Sequence, residues 1–307
     1  MLSSDHIRVD PVYREALRAC ELDSVERILS RRDGRVVAWS RTTDTLHVPG
    51  ADGGVGFFVK RYRYPTWRHR VRCALRGAFL GRHRGQSEYR LLNEMRAAGV
   101  SAVRPVAYGA RRCAHFVYAC FLITEEVLGA VNLTSWAQSI AGGRRRISWR
   151  QRRAATLALA RQMAFMHAAN LGHGEAFWRN LLIRQCPQDD FEFFFLDPRP
   201  RYGGRRFARQ SGWWLMELAQ LAASAVPFVS RSDRLRFYRA YASRKRLTAD
   251  DKRSIRAIER IAGRWAGHER QRIHMNALFE RWNVELGHEP TADWRAPEPI
   301  PVGQAAS

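Results

Sequence analysis

Cysteine is scarce in this chain, and its spacing does not suit a metal site. Five cysteines occur among 307 residues, and no two of them form a CxxC pair. No histidine accompanies them at the spacing of a zinc site. The sequence therefore predicts free thiols in a reducing compartment, and it argues against a disulfide scaffold or a zinc finger. The cysteines are Cys20, Cys73, Cys113, Cys120 and Cys186.

A secretory leader and a long apolar run are also missing. The first residues, MLSSDHIRVD, lack the basic stretch and apolar core of a signal peptide. The longest apolar window, GWWLMELAQLAASAVPFV, contains Glu217 and Gln220 and is typical of a buried amphipathic helix. We therefore expect a cytoplasmic protein that contacts membranes only at their surface.

Acidic residues are outnumbered by basic ones. The chain has 52 Lys and Arg against 29 Asp and Glu, a formal net charge of +23. Such an excess attracts nucleic acid, a membrane surface or a phosphorylated substrate, but it does not determine the fold. The sequence has no recognisable helix-turn-helix, RNP motif or zinc finger, so nucleic acid is the least favoured of these partners.

Two runs concentrate the basic residues. The Arg61 to Arg84 segment, RYRYPTWRHRVRCALRGAFLGRHR, interleaves its arginines with Trp67, Leu75 and Phe79, and RRRISWRQRR follows near residue 150. One interpretation is a solvated basic face. The other is an arm that docks on an anionic membrane surface or on the phosphates of a lipid substrate.

The order of predicted elements indicates an α+β protein with two lobes. Strands are predicted at RVVAWS, TLHV, VGFFVKRY, PVAYG and FLITEEV, with a leading helix over residues 11–28 and a helix at SEYRLLNEMRAAG, capped by Ser87 and ended by Gly99. From about residue 150 five helices are predicted, the last two as ADDKRSIRAIERIAGRWA and ERQRIHMNALFERW. Two short strands, NLLIRQ and FEFFFLD, lie between the first two of these helices.

This order places four segments along the chain. They are an N-terminal segment at 1–28, a lobe with a small antiparallel sheet and one helix at 29–127, a mostly α-helical lobe at 128–283, and a disordered tail rich in Pro and Ala at 284–307.

Ionisable groups fall at the ends of these elements in an order that suits phosphoryl transfer. Lys60 ends a strand, Glu88 lies on the next helix, Glu175 and Asn180 share a loop, and Asp197 ends a strand. In transfer from ATP, a strand lysine steadied by a helix glutamate holds the phosphates. A loop carboxylate orients the acceptor hydroxyl, while an Asn and an Asp hold Mg²⁺. Each residue alone is commonly a surface charge, a cap or a turn, and only their joint order indicates phosphoryl transfer.

Five motifs resemble the lipopolysaccharide-core kinases, which phosphorylate Kdo or heptose sugars and are similar to protein kinases in fold. The resemblance runs from Leu22 to Trp282. It implies a two-lobed protein-kinase-like fold, with ATP and Mg²⁺ as cofactors. The motifs are FFVKRY, SEYRLLNEMRAAGVSAVRPVAYG, FLITEEV, MHAANLGHGEAFWRNLLI and FFFLDPRPR.

The resemblance also implies roles for the residues of the second lobe. His173 matches the start of the catalytic loop, and Glu175 matches the catalytic carboxylate. Asn180 matches the first metal ligand and Asp197 the second.

On the nucleotide side, the resemblance makes Lys60 the phosphate-binding lysine and Glu88 its helix partner, with Glu94 as a weaker candidate. Glu125 and Glu126 match the hinge, where adenine would meet backbone groups. The implied function is an ATP- and Mg²⁺-dependent kinase that acts on a Kdo or heptose hydroxyl of the lipopolysaccharide inner core. The implied partners are that core, or another anionic sugar-lipid, and the surface of the inner membrane.

Three departures from the family pattern keep a second class of function open. The family usually has Asp at the positions of Glu175 and Glu217, and the turn SRTTD has no glycine. These departures motivate a pseudokinase that binds nucleotide or a membrane partner without catalysis. A small-molecule kinase of the aminoglycoside type would share the same site, but its acceptor pocket is usually acidic, and the basic balance of this chain argues against it.

Overall fold

The computed structural model describes residues 3–40, 42–75, 82–113, 116–199 and 212–285. The chain folds into two compact units, the first rich in sheet and the second mostly helical. The first comprises Met1–Gln86, Pro105–Glu126 and Trp282–Ser307, and the second comprises Ser87–Arg104 and Val127–Arg281. The boundaries proposed from the sequence stay predictions.

A six-stranded antiparallel sheet dominates the first unit. Its strands are β1 (Ser3–Val9), β2 (Arg35–Ser40), β3 (Thr43–Val48), β4 (Phe57–Arg63), β5 (Pro105–Cys113) and β6 (Phe116–Glu125). Their order across the sheet is β1-β5-β6-β4-β3-β2. The five predicted strands are confirmed as β2 to β6. Strand β1 was not predicted, because its mostly polar sequence lies at the sheet edge and buries no side chain between Ser4 and Val9.

Helices of the first unit are α1 (Arg14–Ala19), α2 (Val25–Ser30) and α3 (Trp67–Cys73). The single helix expected over 11–28 is wrong, because Glu21 has a left-handed φ of 56° and interrupts it. Ser24 then caps α2 by accepting a hydrogen bond from the Arg27 N–H.

Several arginines of the Arg61 to Arg84 segment serve the fold of this unit. Arg61 is fully buried, and its guanidinium donates to Asp44 at 2.7 and 3.1 Å and to the Arg31 carbonyl at 2.7 Å. Arg70 donates to the Tyr64 carbonyl at 2.9 Å. Residues 76–81 of the segment lie outside the described residues. The basic segment is therefore partly structural.

The second unit combines a three-stranded antiparallel sheet with long helices. The sheet has the order β7-β8-β9, with β7 (Ala130–Asn132), β8 (Leu181–Gln185) and β9 (Phe191–Phe195). The helices are α4 (Arg84–Ala97, of which residues 84–86 belong to the first unit), α5 (Leu133–Ala141), α6 (Trp149–Ala168), α7 (Trp213–Ala225), α8 (Arg231–Tyr241) and α9 (Ala249–Glu285). The predicted hairpin is confirmed as β8 and β9, while β7 and α5 were not predicted.

Two helix boundaries differ from the sequence-based expectation. Helix α4 begins at Arg84, so Ser87 lies inside it and is not its cap. Its end agrees with the prediction, since Gly99 follows with a φ of +81°. The two last helices expected near the C-terminus form one helix, α9, because Gly267 within it costs only about 1 kcal/mol and no proline interrupts it.

Helix α9 also covers the first two residues of the predicted tail, which otherwise lies outside the described residues. None of the helices described here is long and apolar enough to cross a membrane.

Candidate functional site

The candidate loop, residues 171–180, joins α6 to β8 in the second unit and is held by a buried histidine. His173 is fully buried, and its Nε2 lies 2.9 Å from the Leu196 carbonyl oxygen. A carbonyl can only accept, so Nε2 carries the proton and Nδ1 accepts the Glu175 N–H at 3.2 Å. Burial lowers the pKa of His173, against the opposing effect of the Glu217 carboxylate. The neutral ring therefore fixes the loop by hydrogen bonds.

Glu175 is the acidic side chain of the loop, and it pairs with an arginine from the segment after β9. Its Oε1 lies 2.7 Å from Nη1 of Arg199, and both side chains are partly exposed. The Arg199 N–H donates to the His173 carbonyl at 2.9 Å. The two segments are therefore tied together through both backbone and side chain, with the carboxylate reaching solvent.

Asn180 and Asp197 are brought together by backbone contacts. The Asn180 side-chain NH₂ donates to the Glu175 carbonyl at 2.9 Å, which turns its Oδ1 the other way. The Leu196 N–H donates to the Asn180 carbonyl at 3.1 Å, so Asp197 follows one residue after this contact. Asp197 has a left-handed φ of 54°, a conformation that costs free energy for most residues and that Asp and Asn tolerate best.

The donor set at this point fits Mg²⁺. An amide oxygen and a carboxylate are the hard oxygen ligands that Mg²⁺ prefers, and this ion commonly binds one or two protein oxygens together with phosphates and waters. Within the described ranges, no group of three or more His, Cys, Asp and Glu side chains could hold a metal alone. A cation here would therefore depend on oxygens of a bound phosphate.

Helix α7 supports the loop with three polar side chains on one face. Glu217 Oε1 accepts the Gly174 N–H at 2.5 Å, Gln220 Oε1 accepts the Ala176 N–H at 2.8 Å, and Ser224 Oγ accepts the Trp178 N–H at 3.2 Å. All three side chains belong to buried residues. Every second N–H of the loop thus has a buried partner, which holds the backbone in one conformation.

Two further contacts anchor this polar face from behind. The second oxygen of Glu217 accepts from Nε2 of His167 at 3.1 Å, and Nδ1 of His167 lies 2.8 Å from the Tyr241 hydroxyl. Burial raises the pKa of Tyr241, so its hydroxyl keeps the proton that it shares with the imidazole.

At the other end of the loop, Glu269 of α9 connects two contacts. It accepts from the Ser224 hydroxyl at 2.9 Å with one oxygen and pairs with Arg179 through the other. Glu269 is buried, so the carboxylate of this pair is shielded from solvent.

The residues predicted to lie on the nucleotide side are found in both units. Lys60 is in the middle of β4, opposite Thr45 of β3 and Leu122 of β6, and does not end the strand as predicted, because β4 continues to Arg63. Glu88 lies on α4 and is 1% exposed, and a buried carboxylate is stable only when it is paired. Glu94 lies on the same helix and is half-buried. The pairing of Lys60 with Glu88 stays a prediction.

The two predicted hinge residues make contacts within the first unit. The Tyr13 hydroxyl donates to Glu125 at 2.5 Å, and Glu126 Oε2 lies 2.8 Å from Nε2 of His47. The Glu126 N–H donates to the Gly56 carbonyl at 2.9 Å. In this conformation, an adenine would have to use backbone groups other than the Glu126 N–H.

The family of this chain is shown by its match to a model of a known protein family. A model of the lipopolysaccharide kinase (Kdo/WaaP) family matches residues 24–241, well over half of the sequence. The chain belongs to this family. The enzyme class expected from the sequence, a phosphotransferase, is thereby confirmed for this Kdo/WaaP-family kinase.

Two relatives give the extent of the likeness. The lipopolysaccharide core heptose(I) kinase WaaP of Pseudomonas aeruginosa is 29% identical over 201 residues, which are 61% of this chain and 70% of that protein. A solved structure of WaaP in complex with acyl carrier protein is 26% identical, with a TM-score of 0.59, and the match covers 84% of this chain and 98% of that one. The predicted kinase-like α+β fold is confirmed by this likeness.

Sequence reasoning missed most of the residues that support the loop of this Kdo/WaaP-family kinase. Gln220 and Ser224 follow Glu217 by three and seven positions, which is the spacing of one helix face. Polar residues at this spacing inside an otherwise apolar helix were the available signal. Glu269 and Arg199 gave no such signal, because their partners are distant in sequence.

The buried histidine predicts a pH dependence of stability. Because the pKa of His173 is lower in the folded protein than its ordinary value of 6.5, the unfolded chain binds more protons below that pH. Stability is therefore present above about pH 6.5 and is lost on acidification, by up to about 1.4 kcal/mol per pH unit for one proton.

Urea unfolding at about pH 7 and about pH 5 measures this loss. We expect His173→Gln to remove part of the acid sensitivity, while His268→Gln, at an exposed position of α9, leaves it unchanged. Equal pH slopes in the wild type and in His173→Gln would contradict the prediction.

Proposed function

We propose that this chain is an ATP- and Mg²⁺-dependent kinase that phosphorylates a hydroxyl of Kdo or heptose in the lipopolysaccharide inner core. One observation carries the proposal: Glu175, Asn180 and the Leu196–Asp197 segment are held together by hydrogen bonds of 2.9 and 3.1 Å. Strand β9 ends at Phe195, so Asp197 follows the strand by two residues and does not end it as predicted. These side chains are the acceptor-orienting carboxylate and the two metal ligands that phosphoryl transfer needs.

In this mechanism, Glu175 orients the acceptor hydroxyl and accepts its proton while the acceptor oxygen bonds to the γ-phosphorus of ATP. The bond from that phosphorus to the β,γ-bridging oxygen breaks, and ADP leaves. Arg199, 2.7 Å from the carboxylate, restricts its position. Asn180 Oδ1 and the Asp197 carboxylate would hold Mg²⁺, which would supply positive charge to offset that of the transferred phosphoryl group. Lys60 would bind the phosphates that remain on the nucleotide. Because the reaction needs little covalent chemistry from the protein, the fixed loop geometry is its main contribution.

A known relative and the charge of the chain both favour a core sugar as the acceptor. The curated relative is named as a core heptose(I) kinase, which favours a core sugar as the acceptor of this chain. The formal net charge of +23 suits a substrate that carries phosphates and acidic sugars. Choosing between Kdo and heptose requires both acceptors in one assay.

That assay uses the full chain with Mg²⁺ and γ-labelled ATP, with and without intact or delipidated core. We expect label on the core sugar, lost when Mg²⁺ is chelated. Heptose-only and Kdo-only core fragments then identify the acceptor. ATP binding without transfer to any core fragment would instead support the pseudokinase.

Replacing Glu175 by Asp separates the kinase from the pseudokinase. The change shortens the side chain by one methylene and draws the carboxylate away from its position 2.7 Å from Arg199. A misplacement of about 1 Å costs on the order of a hundredfold in rate, so a kinase adapted to Glu175 loses that factor. If Glu175→Asp instead creates transfer where the wild type has none, the native chain is a binding module.

Peripheral attachment to the cytoplasmic face of the inner membrane completes the proposal. Although Arg61 and Arg70 serve the fold, Arg68 and Arg72 are exposed on α3, beside Trp67, which is 58% exposed. Basic and aromatic side chains on a short exposed helix suit an anionic bilayer surface.

A further inference from the structure

A basic groove lies in the second unit between α6 and α8, apart from the residues of the candidate loop. Its volume is about 580 Å³, and it opens to solvent. Five basic side chains line it, and no carboxylate does so among the described residues of the groove. The basic residues are Arg153, Arg236, Arg239, Arg244 and Lys245.

Among the described residues, two buried carboxylates offset part of this charge: Asp233, and Asp251, which interacts electrostatically with Arg244. Asp233 pairs with Arg236 and accepts the hydroxyl of Ser230 at 2.8 Å, within the first turn of α8. Arg153, Arg239, Arg244 and Lys245 are exposed. Arg239 donates to the carbonyls of Arg244 and Lys245, so the loop after α8 is fixed with its two basic residues in place. The positive charge is therefore both concentrated and preorganised.

Apolar side chains accompany this charge. Trp149, at the start of α6, is 61% exposed, and the guanidinium groups of Arg153 and Arg236 lie 5.7 and 5.8 Å from its ring centroid. Leu235, which also lines the groove, is 42% exposed. Large apolar side chains beside exposed basic residues are typical of surfaces that meet the headgroup region of a bilayer, where Trp is preferred.

We propose that this groove docks the protein on an anionic phospholipid bilayer. The arginines and the lysine bind lipid phosphates, while Trp149 and Leu235 lie at the level of the headgroups. The groove is distinct from the Arg61 to Arg84 segment and would give the second unit its own attachment. This inference rests on the proposed function only in placing the substrate at a membrane, and the groove can be tested without any kinase assay.

The test measures partitioning of the full chain onto sedimented vesicles of phosphatidylglycerol and phosphatidylcholine in equal parts, and onto phosphatidylcholine alone. We expect binding to the anionic vesicles only, weakened by salt. A triple variant, Arg239→Gln with Arg244→Gln and Lys245→Gln, should bind on the order of a hundredfold less tightly, since each basic residue near an anionic surface contributes about fivefold. Trp149→Ala should also weaken binding, although it leaves the charge unchanged.

A matched control removes the same charge elsewhere in the second unit. Arg256, Arg260 and Arg264 are exposed along one stripe of α9, and their combined change to Gln should leave most of the binding intact. Equal losses in both triple variants would show attraction by net charge alone and would overturn the assignment of the groove. Unchanged partitioning of the groove variant would overturn it as well.

An acidic protein is the competing occupant of the groove. Binding measurements with the same variants distinguish such a protein from a bilayer. If the groove substitutions weaken binding of acyl carrier protein, which accompanies the solved relative, and leave vesicle binding unchanged, the groove is a protein-binding site and the proposal is wrong. Phosphoryl transfer to soluble delipidated core, measured on the same protein preparations, tests the proposed kinase function separately from the membrane binding of the groove. A chain that binds vesicles but transfers no phosphoryl group contradicts only the proposed function.

Discussion

Replacing Asp197 by asparagine will lower phosphoryl transfer by on the order of a thousandfold while leaving the fold intact. The substitution removes the carboxylate proposed as a metal ligand, and a bound metal contributes several kcal/mol of charge stabilisation in the transition state. Asparagine accepts the left-handed backbone of this position, where φ is 54°, better than alanine does. Initial rates with γ-labelled ATP and core acceptor measure the effect, and Asp197→Ala should show a similar loss of activity with an added cost in stability.

Asp189→Asn is the matched control for this prediction. Asp189 also has a left-handed φ, 61°, and lies exposed in the turn between β8 and β9. The same chemical change in the same backbone conformation should leave the rate near that of the wild type. Transfer by Asp197→Asn at the wild-type rate would exclude this carboxylate from the mechanism.

Replacing Glu217 by leucine will destabilise the protein by about 3 kcal/mol and slow transfer. The change leaves the Gly174 N–H and His167 Nε2 without their buried acceptor, and each unsatisfied buried group costs about 1 to 3 kcal/mol. The loop also loses the first of its three supports on α7. Urea unfolding measures the stability, and the rate at saturating core acceptor measures the loop geometry.

Glu217→Gln tests whether hydrogen bonding, and not only volume, is responsible. Glutamine keeps an oxygen that can accept the Gly174 N–H, and its NH₂ can donate to His167 if the imidazole proton moves to Nδ1, where the Tyr241 hydroxyl can accept it. We therefore expect a loss below about half that of the leucine variant. If both variants lose equal stability, the hydrogen bonds of Glu217 are not what holds the loop.

The sequence predicted the parts of this protein whose signals are local. Strands β2 to β6 and the β8–β9 hairpin were predicted because apolar runs and turn residues alternate there, and the candidate loop was predicted because its residues follow a family motif. Strand β1 was missed because its sequence is polar and its stability depends on pairing with β5, about a hundred residues away in the chain. Helix α9 was predicted as two helices because Gly267 lies between the two predicted segments, and glycine commonly ends a helix.

The candidate site was predicted only as a set of residue types. Residues 175, 180 and 197 could be singled out by their order, but the buried acceptors that fix the loop could not. Gln220 and Ser224 satisfy backbone N–H groups, which are the same at every position and leave no mark on the sequence of the loop. The ion pair of Glu175 with Arg199 depends on the path of the chain between two strands, which composition and periodicity do not specify.

The alternating direction of the N–H groups along the loop restricts the number of residues that the loop can have. Helix α7 receives the N–H groups of residues 174, 176 and 178, so the intervening peptide groups point elsewhere. Inserting or deleting one residue between Gly174 and Trp178 would bring a peptide group of the wrong orientation to at least one of the three buried acceptors. The number of residues between His173 and Asn180 is therefore restricted by the alternating direction of the peptide groups as well as by distance. The loop can vary its side chains far more freely than its number of residues.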